Sequence, residues 1–246
     1  METGPDRPPI VAYDNPFVTL ENCGGYYKRP PGGPVIATGD FSLVLEQYYR
    51  FSMAFKHQNS SGRRYVLEYW GRRLTNKITL ELLPVAGKSA VDFFLGIPPG
   101  GYELAQILGE NNKQARVIQA IMRNGELAPM PQINPGDRGI VVLDTANSCK
   151  TAAKAVAAVK KQDASIMALA CVCARFITEL SESRNGTRIS LVALGPENMP
   201  LMTLAQKAMP PSRRDDPRLA GSEIIDNPES DEAWKRLLEL MVQPKR

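Results

Sequence analysis

Val91-Asp-Phe-Phe-Leu-Gly-Ile-Pro-Pro-Gly-Gly-Tyr-Glu-Leu-Ala105 reads as a buried strand, a tight Gly/Pro loop and the start of a helix. Val91–Leu95 is a short apolar run, and the Gly/Pro cluster behind it stops the strand. Gly139-Ile-Val-Val-Leu-Asp-Thr-Ala-Asn-Ser-Cys-Lys-Thr-Ala-Ala153 repeats the layout, with a strand over Ile140–Leu143 and an Ala-rich helix over Lys150–Lys161. Two such units predict two loops at the carboxyl edge of one parallel sheet, the edge where open α/β folds bind their ligands.

Outward from these units the alternation continues. Further strands are expected over Arg116–Met122, Ser165–Ala174 and Arg188–Leu194, and a helix over Tyr102–Leu108; a loop with three prolines fills Asn124–Asp137. Strands alternating with helices predict an α/β domain, its mostly parallel sheet covered by helices on both faces. That domain spans residues 40–207. Residues 1–39, rich in Pro, Gly and Tyr, read as an extended arm. Residues 40–72 read as a small cap, with two strands around the Asn59–Arg64 turn, the second being Tyr65–Trp70. Thr75 is placed to cap a helix over Asn76–Val85. Residues 208–246 read as a linker to about Ser230, then an amphipathic helix over Asp231–Val242. Trp234, Leu237, Leu238 and Met241 recur there at helical spacing, and the helix starts acidic, as its positive end favours.

Composition bounds the function classes. A chain of 246 residues, 43% hydrophobic, can bury one substantial core. Thirty basic against 26 acidic residues leave a net charge of +4, too mild to imply nucleic acid. The four cysteines form no C-x-x-C pair, and the single His57 completes no metal set, so no metal ligands are assigned from the residues alone. Cys171 and Cys173 alternate along a predicted buried strand as small core residues. The polar, Pro-rich N-terminus predicts no secretory signal, and no apolar run reaches a bilayer span. A soluble, cytoplasmic protein without membrane contact is expected.

The loops carry the chemistry. In Gly96, Ile97, Pro98, Pro99, Gly100 and Gly101, adjacent glycines let backbone amides approach an anion, and the following helix start adds positive potential. The same loop reads equally as an ordinary βα turn. At the second strand end, Asp144 can accept hydrogen bonds from two sugar hydroxyls. Asn147, Ser148, Cys149, Lys150 and Thr151 then open a helix with hydroxyls, an amide and an ammonium suited to a phosphate monoester. An N-cap role explains Asn147 or Ser148 but needs neither Asp144 nor Lys150. A phosphorylated sugar fits the two loops together. Elsewhere, Arg63, Arg64, Arg72 and Arg73 flank Tyr65, Tyr69 and Trp70. That mixture suits stacking on single-stranded RNA, and equally a solvated hairpin edge.

The order of strand, Gly96–Gly101 loop and helix, then strand, Asp144–Thr151 loop and helix, then a strand ending in Arg175, resembles the type I phosphoribosyltransferases. Among them it looks most like the orotate phosphoribosyltransferases. The likeness covers roughly residues 75–195, with an echo at Thr38-Gly-Asp-Phe-Ser-Leu43. It implies pyrophosphate on Gly96–Gly101 with magnesium and ribose on Asp144. It further implies the 5-phosphate on Asn147–Thr151, the base beside Arg175, a phosphorylated ribose or nucleotide as ligand, and a homodimer. Three departures qualify the activity it implies. Leu143 stands where the family has a first acid, Cys149 and Lys150 replace loop glycines, and Gln119 and Met122 fall where catalytic lysines belong. Arg116 and Arg123 are left as candidate catalytic cations. Removing one preorganised donor costs roughly 100- to 1000-fold in rate. The expectation is therefore a catalytically impaired relative kept for phosphoribosyl, nucleotide or partner binding. The alternatives are an active pyrimidine phosphoribosyltransferase and an RNA- or protein-binding scaffold.

Overall fold

The computed structural model describes residues 20–21, 23–37, 43–52, 60–84, 90–98, 100–123, 126–128, 133–146, 150–176, 201–208, 212–226 and 230–242. Four short strands come first: β1 (Tyr26–Lys28), β2 (Val35–Ala37), β3 (Leu43–Leu45) and β4 (Gln47–Tyr49). Helix α1 (Ser60–Lys77) runs on into a widened turn over Ile78–Leu82, where the Leu83 amide reaches back five residues to Ile78. Then follow β5 (Phe93–Gly96), α2 (Gly100–Asn111), β6 (Arg116–Gln119), the pair β7 (Ile121–Arg123) and β8 (Glu126–Ala128), and β9 (Arg138–Ala146). Helix α3 (Lys150–Lys160), β10 (Ser165–Phe176) and β11 (Leu201–Ala208) complete the α/β part. Two-residue strands β12 (Ser212–Arg213) and β13 (Ile224–Ile225) precede helix α4 (Asp231–Val242).

Five of the strands form one parallel sheet in the order β11-β10-β9-β5-β6. Its central strands β5, β9 and β10 are apolar on both faces, as a doubly covered sheet requires. Phe94, Ile140, Val142, Ala168, Ala170 and Val172 pack into the cluster that holds α1 and α2. Their neighbours Phe93, Leu95, Val141, Leu143, Leu169 and Cys171 pack with Ala152, Ala155, Val156 and Val159 of α3. Cys171 and Cys173 are both buried, but Cys173 joins the first cluster rather than sharing a layer with Cys171.

Several expectations give way to the structure. The segment read as a hairpin over residues 60–72 is helical. Val66, Trp70, Leu74 and Ile78 recur every four residues and are all buried, and this spacing outweighs the aromatic alternation of Tyr65–Trp70. Glu68 bridges Arg64 and Arg72 one turn away on either side, which supports a helix. Thr75 is inside that helix, its hydroxyl donating to the Gly71 carbonyl at 2.9 Å, so it caps nothing. The single strand expected over Arg116–Met122 divides at Ala120, and β7 leaves the sheet to pair antiparallel with β8. Residues 23–37 are core rather than arm: Tyr27 and Ile36 are fully buried in β1 and β2. The stretch read as a linker supplies β12 and β13, which flank β3 and β2 in a mixed four-stranded sheet. Arg188–Leu194 lies outside the described residues, and the fifth parallel strand is β11.

Candidate functional site

Strand order locates the site. The chain passes from β5 through α2 to β6 on one side, then crosses back to β9 on the other. That reversal lies between β5 and β9, which are hydrogen-bonded neighbours. Open parallel sheets bind ligands outside the carboxyl ends of the strands at such a switch point. Gly96 ends β5 and Ala146 ends β9, so both loops singled out in the sequence leave the sheet there.

The loops touch. The Ile97 amide donates to the Val142 carbonyl at 2.9 Å, drawing the Gly96–Gly101 turn onto β9. A Cβ on Gly101 would lie 2.4 Å from the Val142 carbonyl oxygen and 2.9 Å from the Leu143 Cα. A Cβ on Gly100 would lie 2.8 Å from both Cβ and Oδ2 of Asp144. Gly96 is crowded in turn by the Tyr102 backbone, 2.4 Å from its own Cβ position. These glycines are thus needed for the start of α2 to pack against β9, whatever they do for an anion. Asp144, half-buried, accepts the Thr145 amide on Oδ1 at 2.7 Å and turns Oδ2 toward Gly100.

The other site candidates divide by position. Lys150 and Thr151 open α3, with Thr151 exposed. Arg175 lies one register step beyond Ala174, which pairs with Ala146, so its backbone also stands at the carboxyl edge. Arg123 lies on the β7–β8 pair, which leaves the same edge after β6. Pro99, Asn147, Ser148 and Cys149 lie outside the described residues. Arg116 does not join the group. It begins β6 opposite Phe93, at the amino edge, and is ion-paired to Asp137. A parallel strand carries its first and last residues to opposite edges, which removes Arg116 as a catalytic cation.

Two neighbours were missed in the sequence. Lys207 is the register partner of Arg175 on β11, a strand that the hydrophobic pattern did not reveal. Thr145, beside Asp144, has a buried hydroxyl without a hydrogen-bond partner among the described residues. A Thr following a strand-end Asp was the available signal. Leu143 points to the α3 side and is buried there at 8% exposure. On α1 the arginines are held locally: Arg63 pairs with Glu103, Arg64 with Glu68 and Glu110, and Arg73 donates to the Tyr69 hydroxyl at 3.0 Å. Trp70 is fully buried, so it offers no face to a base.

Magnesium, implied by the resemblance, would meet the Asp144 carboxylate at this edge, one of whose oxygens already accepts the Thr145 amide. Among the described residues no three His, Cys, Asp or Glu side chains converge. Magnesium keeps most of its waters and is commonly held by one or two carboxylates together with substrate phosphates, so Asp144 would suit an ion arriving with a phosphorylated ligand, and no step is assigned to it.

The same architecture occurs in solved structures. UMP synthase from Leishmania donovani superposes with a TM-score of 0.54 at 12% identity, over 79% of this chain and 36% of that one. Orotate phosphoribosyltransferase from Aeropyrum pernix superposes with a TM-score of 0.55 at 13% identity, over 77% of this chain and 92% of that one. The fold is that of the type I phosphoribosyltransferases. The chain spans about a third of the Leishmania protein's length. No protein-family model matches the chain, and no curated protein matches it in sequence. The phosphoribosyltransferase fold accounts for the five-stranded parallel sheet and its flanking helices. Among the described residues no helix is long and apolar enough to cross a membrane.

Proposed function

We propose that this chain keeps a phosphoribosyltransferase-type cleft for a phosphorylated ribose or nucleotide and has lost most of its transferase chemistry. The observation that supports the reading is the packing of the start of α2 on β9 at the switch point, Gly100 against the Asp144 carboxylate. In this reading Asp144 accepts the ribose hydroxyls, and the start of α3, with Ser148, Lys150 and Thr151, holds the 5-phosphate. The loop of Gly96–Gly101 lies beside any second phosphate, and Arg175 stands near the base. Impairment is supported by Leu143, which packs into the α3 core where the family has an acid. It is supported as well by Arg116, which is engaged at the opposite edge, and by Gln119 and Met122 in place of lysines. A departing pyrophosphate then meets too few preorganised cations. The same reading takes the chain as a cytoplasmic homodimer.

A second reading, an active enzyme using phosphoribosyl pyrophosphate and orotate with magnesium, draws on one observation. Arg175 and Lys207 adjoin at the carboxyl edge, and the pair carrying Arg123 leaves that edge as well. Two experiments separate the readings. Calorimetry with ribose 5-phosphate is expected to show binding that weakens at least about tenfold in Asp144→Ala and in Lys150→Ala, the worth of one charge-assisted contact. Steady-state assay with orotate, phosphoribosyl pyrophosphate and magnesium is expected to show no turnover. Turnover would establish the second reading, and absence of binding at millimolar ligand would defeat both.

A further inference from the structure

The small sheet has a cavity of its own, independent of the cleft. Side chains alternate across β2 and β3. Ile36 and Leu45 pack into the main core, whereas Val35 and Val44 face the other side and gather with Leu219 and Ile224 in a separate cluster. Against that cluster lies a cavity of about 190 Å³, lined by these four side chains, by Arg214 and Ser222, and by the turn before Ser222. Drug-sized pockets run from roughly 300 Å³ upward, so its occupant is smaller than that.

The polar groups at the cavity are unevenly satisfied. Arg213 is paired with Asp215, Arg218 with Asp216, and Arg236 with Glu223. Arg29 bonds Glu46 and the Ser222 hydroxyl. Arg214, between Arg213 and Asp215, has no carboxylate partner among the described residues. In the turn, the amides of Ala220 and Ser222 donate to Pro217 and Leu219. Gly221, at φ +75°, has no backbone acceptor for its amide among the described residues. Ser222 Oγ accepts from Arg29 at 2.7 Å, which leaves its own proton to donate. A guanidinium, an amide and a hydroxyl thus adjoin a hollow of mixed polar and apolar lining.

We propose that this cavity binds a small monocarboxylate with an apolar body, of about the size of benzoate. The apolar body lies on Leu219 and the half-buried Ile224, over Val35 and Val44 beneath them, and the carboxylate meets Arg214 with help from Ser222 and Gly221. The sign and the size both argue for this class. One unpaired cation matches one negative charge, and a guanidinium holds a carboxylate through two parallel bonds. No covalent step is involved.

The test uses the full chain, benzoate as probe and benzamide as its neutral isostere, followed by amide NMR shifts and by saturation transfer to the probe. Benzoate is expected to bind at millimolar concentration and to shift the Gly221 and Ser222 amides, with benzamide at least about tenfold weaker. Arg214→Gln, a change on an exposed side chain, is expected to bring benzoate down to the affinity of benzamide. Ala220→Trp is expected to fill the hollow and remove both ligands, and Lys150→Ala to change neither. Equal affinity for benzoate and benzamide, or benzoate binding untouched by Arg214→Gln, would overturn the carboxylate assignment. Absence of shifts at Gly221 and Ser222 would overturn the site.

Discussion

The five-stranded sheet and the four-stranded sheet of this molecule are stabilised in different ways. In the first, strands of 4 to 12 residues lie between two apolar layers, and burial on both faces dominates. In the second, β2, β3 and β13 are apolar too, but strands of two or three residues from distant parts of the chain bury little surface each. Polar contacts across long sequence separations add to that burial. Arg29 alone bonds the Gly33 carbonyl at 2.9 Å, Glu46 at 3.2 Å and Ser222 at 2.7 Å, joining the entries to β2, β4 and β13. Trp234 of α4 then pins the layer, fully buried, with its indole N–H donating to the Gly24 carbonyl at 2.9 Å. The five-stranded platform therefore carries the candidate cleft, and the smaller layer is tied by a few named bonds.

The contrast can be broken most forcibly at Trp234. Trp234→Ala empties a large buried site and strands a carbonyl, and is expected to cost about 4 kcal/mol. Native-state hydrogen exchange should then show the amides of β1, β2 and β13 opening well before those of β9 and β10. Equal loss of protection in both sheets would merge the two regions into one unit. Gly101→Ala attacks the platform. Its Cβ meets backbone atoms of Val142 and Leu143 that cannot swing aside, and a cost of about 3 kcal/mol is expected, as for an overpacked core. Denaturant unfolding should report it as a shift of the whole transition. Arg29→Ala sharpens the contrast with a smaller loss, about 2 kcal/mol, because three partners of a half-buried cation are released together. That loss should appear in the amides of the small sheet and leave ribose 5-phosphate affinity unchanged.

The smallest expected effect is alkaline. Burial pushes the Cys23 thiol from its ordinary 9.0 up to about 11, and burial with Glu21 nearby moves Tyr26 from 10.0 up to about 12. Burial likewise raises Tyr27. All three lie at or beside β1. Below pH 9 these groups hold their protons in folded and unfolded chains alike, and their contribution is complete. Between pH 9 and 11 the unfolded chain gives up the thiol proton and the folded chain keeps it, so stability falls as pH rises. Denaturant midpoints measured across that window should decline, and Cys23→Ala should delay the onset by about one pH unit, to the range set by Tyr26. A flat profile would place these groups in water.

The same contrast explains what the sequence disclosed. Val91–Leu95 and Ile140–Leu143 stood out because buried parallel strands are contiguous apolar runs, and the glycines and Asp144 followed them directly. The helix over Ser60–Lys77 was misread because Tyr65, Tyr69 and Trp70 imitate a strand, while the deciding four-residue spacing runs across the whole segment. β12 and β13 have no pattern of their own. Each exists because a partner strand some 170 residues or more away supplies its hydrogen bonds, Ser212 against Val44 and Ile224 against Val35. At the cleft, the side-chain types were legible but their edge was not. Arg116 and Arg123 looked equivalent in the chain, and only the direction of β6 sets one at the amino edge and the other on a strand pair that follows the carboxyl edge.

One titration bears most directly on the cleft: amide NMR of the full chain with ribose 5-phosphate, in the wild type and in Asp144→Ala. The account predicts shifts concentrated at Gly96, Gly100, Gly101 and from Asp144 to Thr151, and their loss in the variant. Shifts centred on α1 or on the amino edge near Arg116, or none at millimolar ligand, would contradict it.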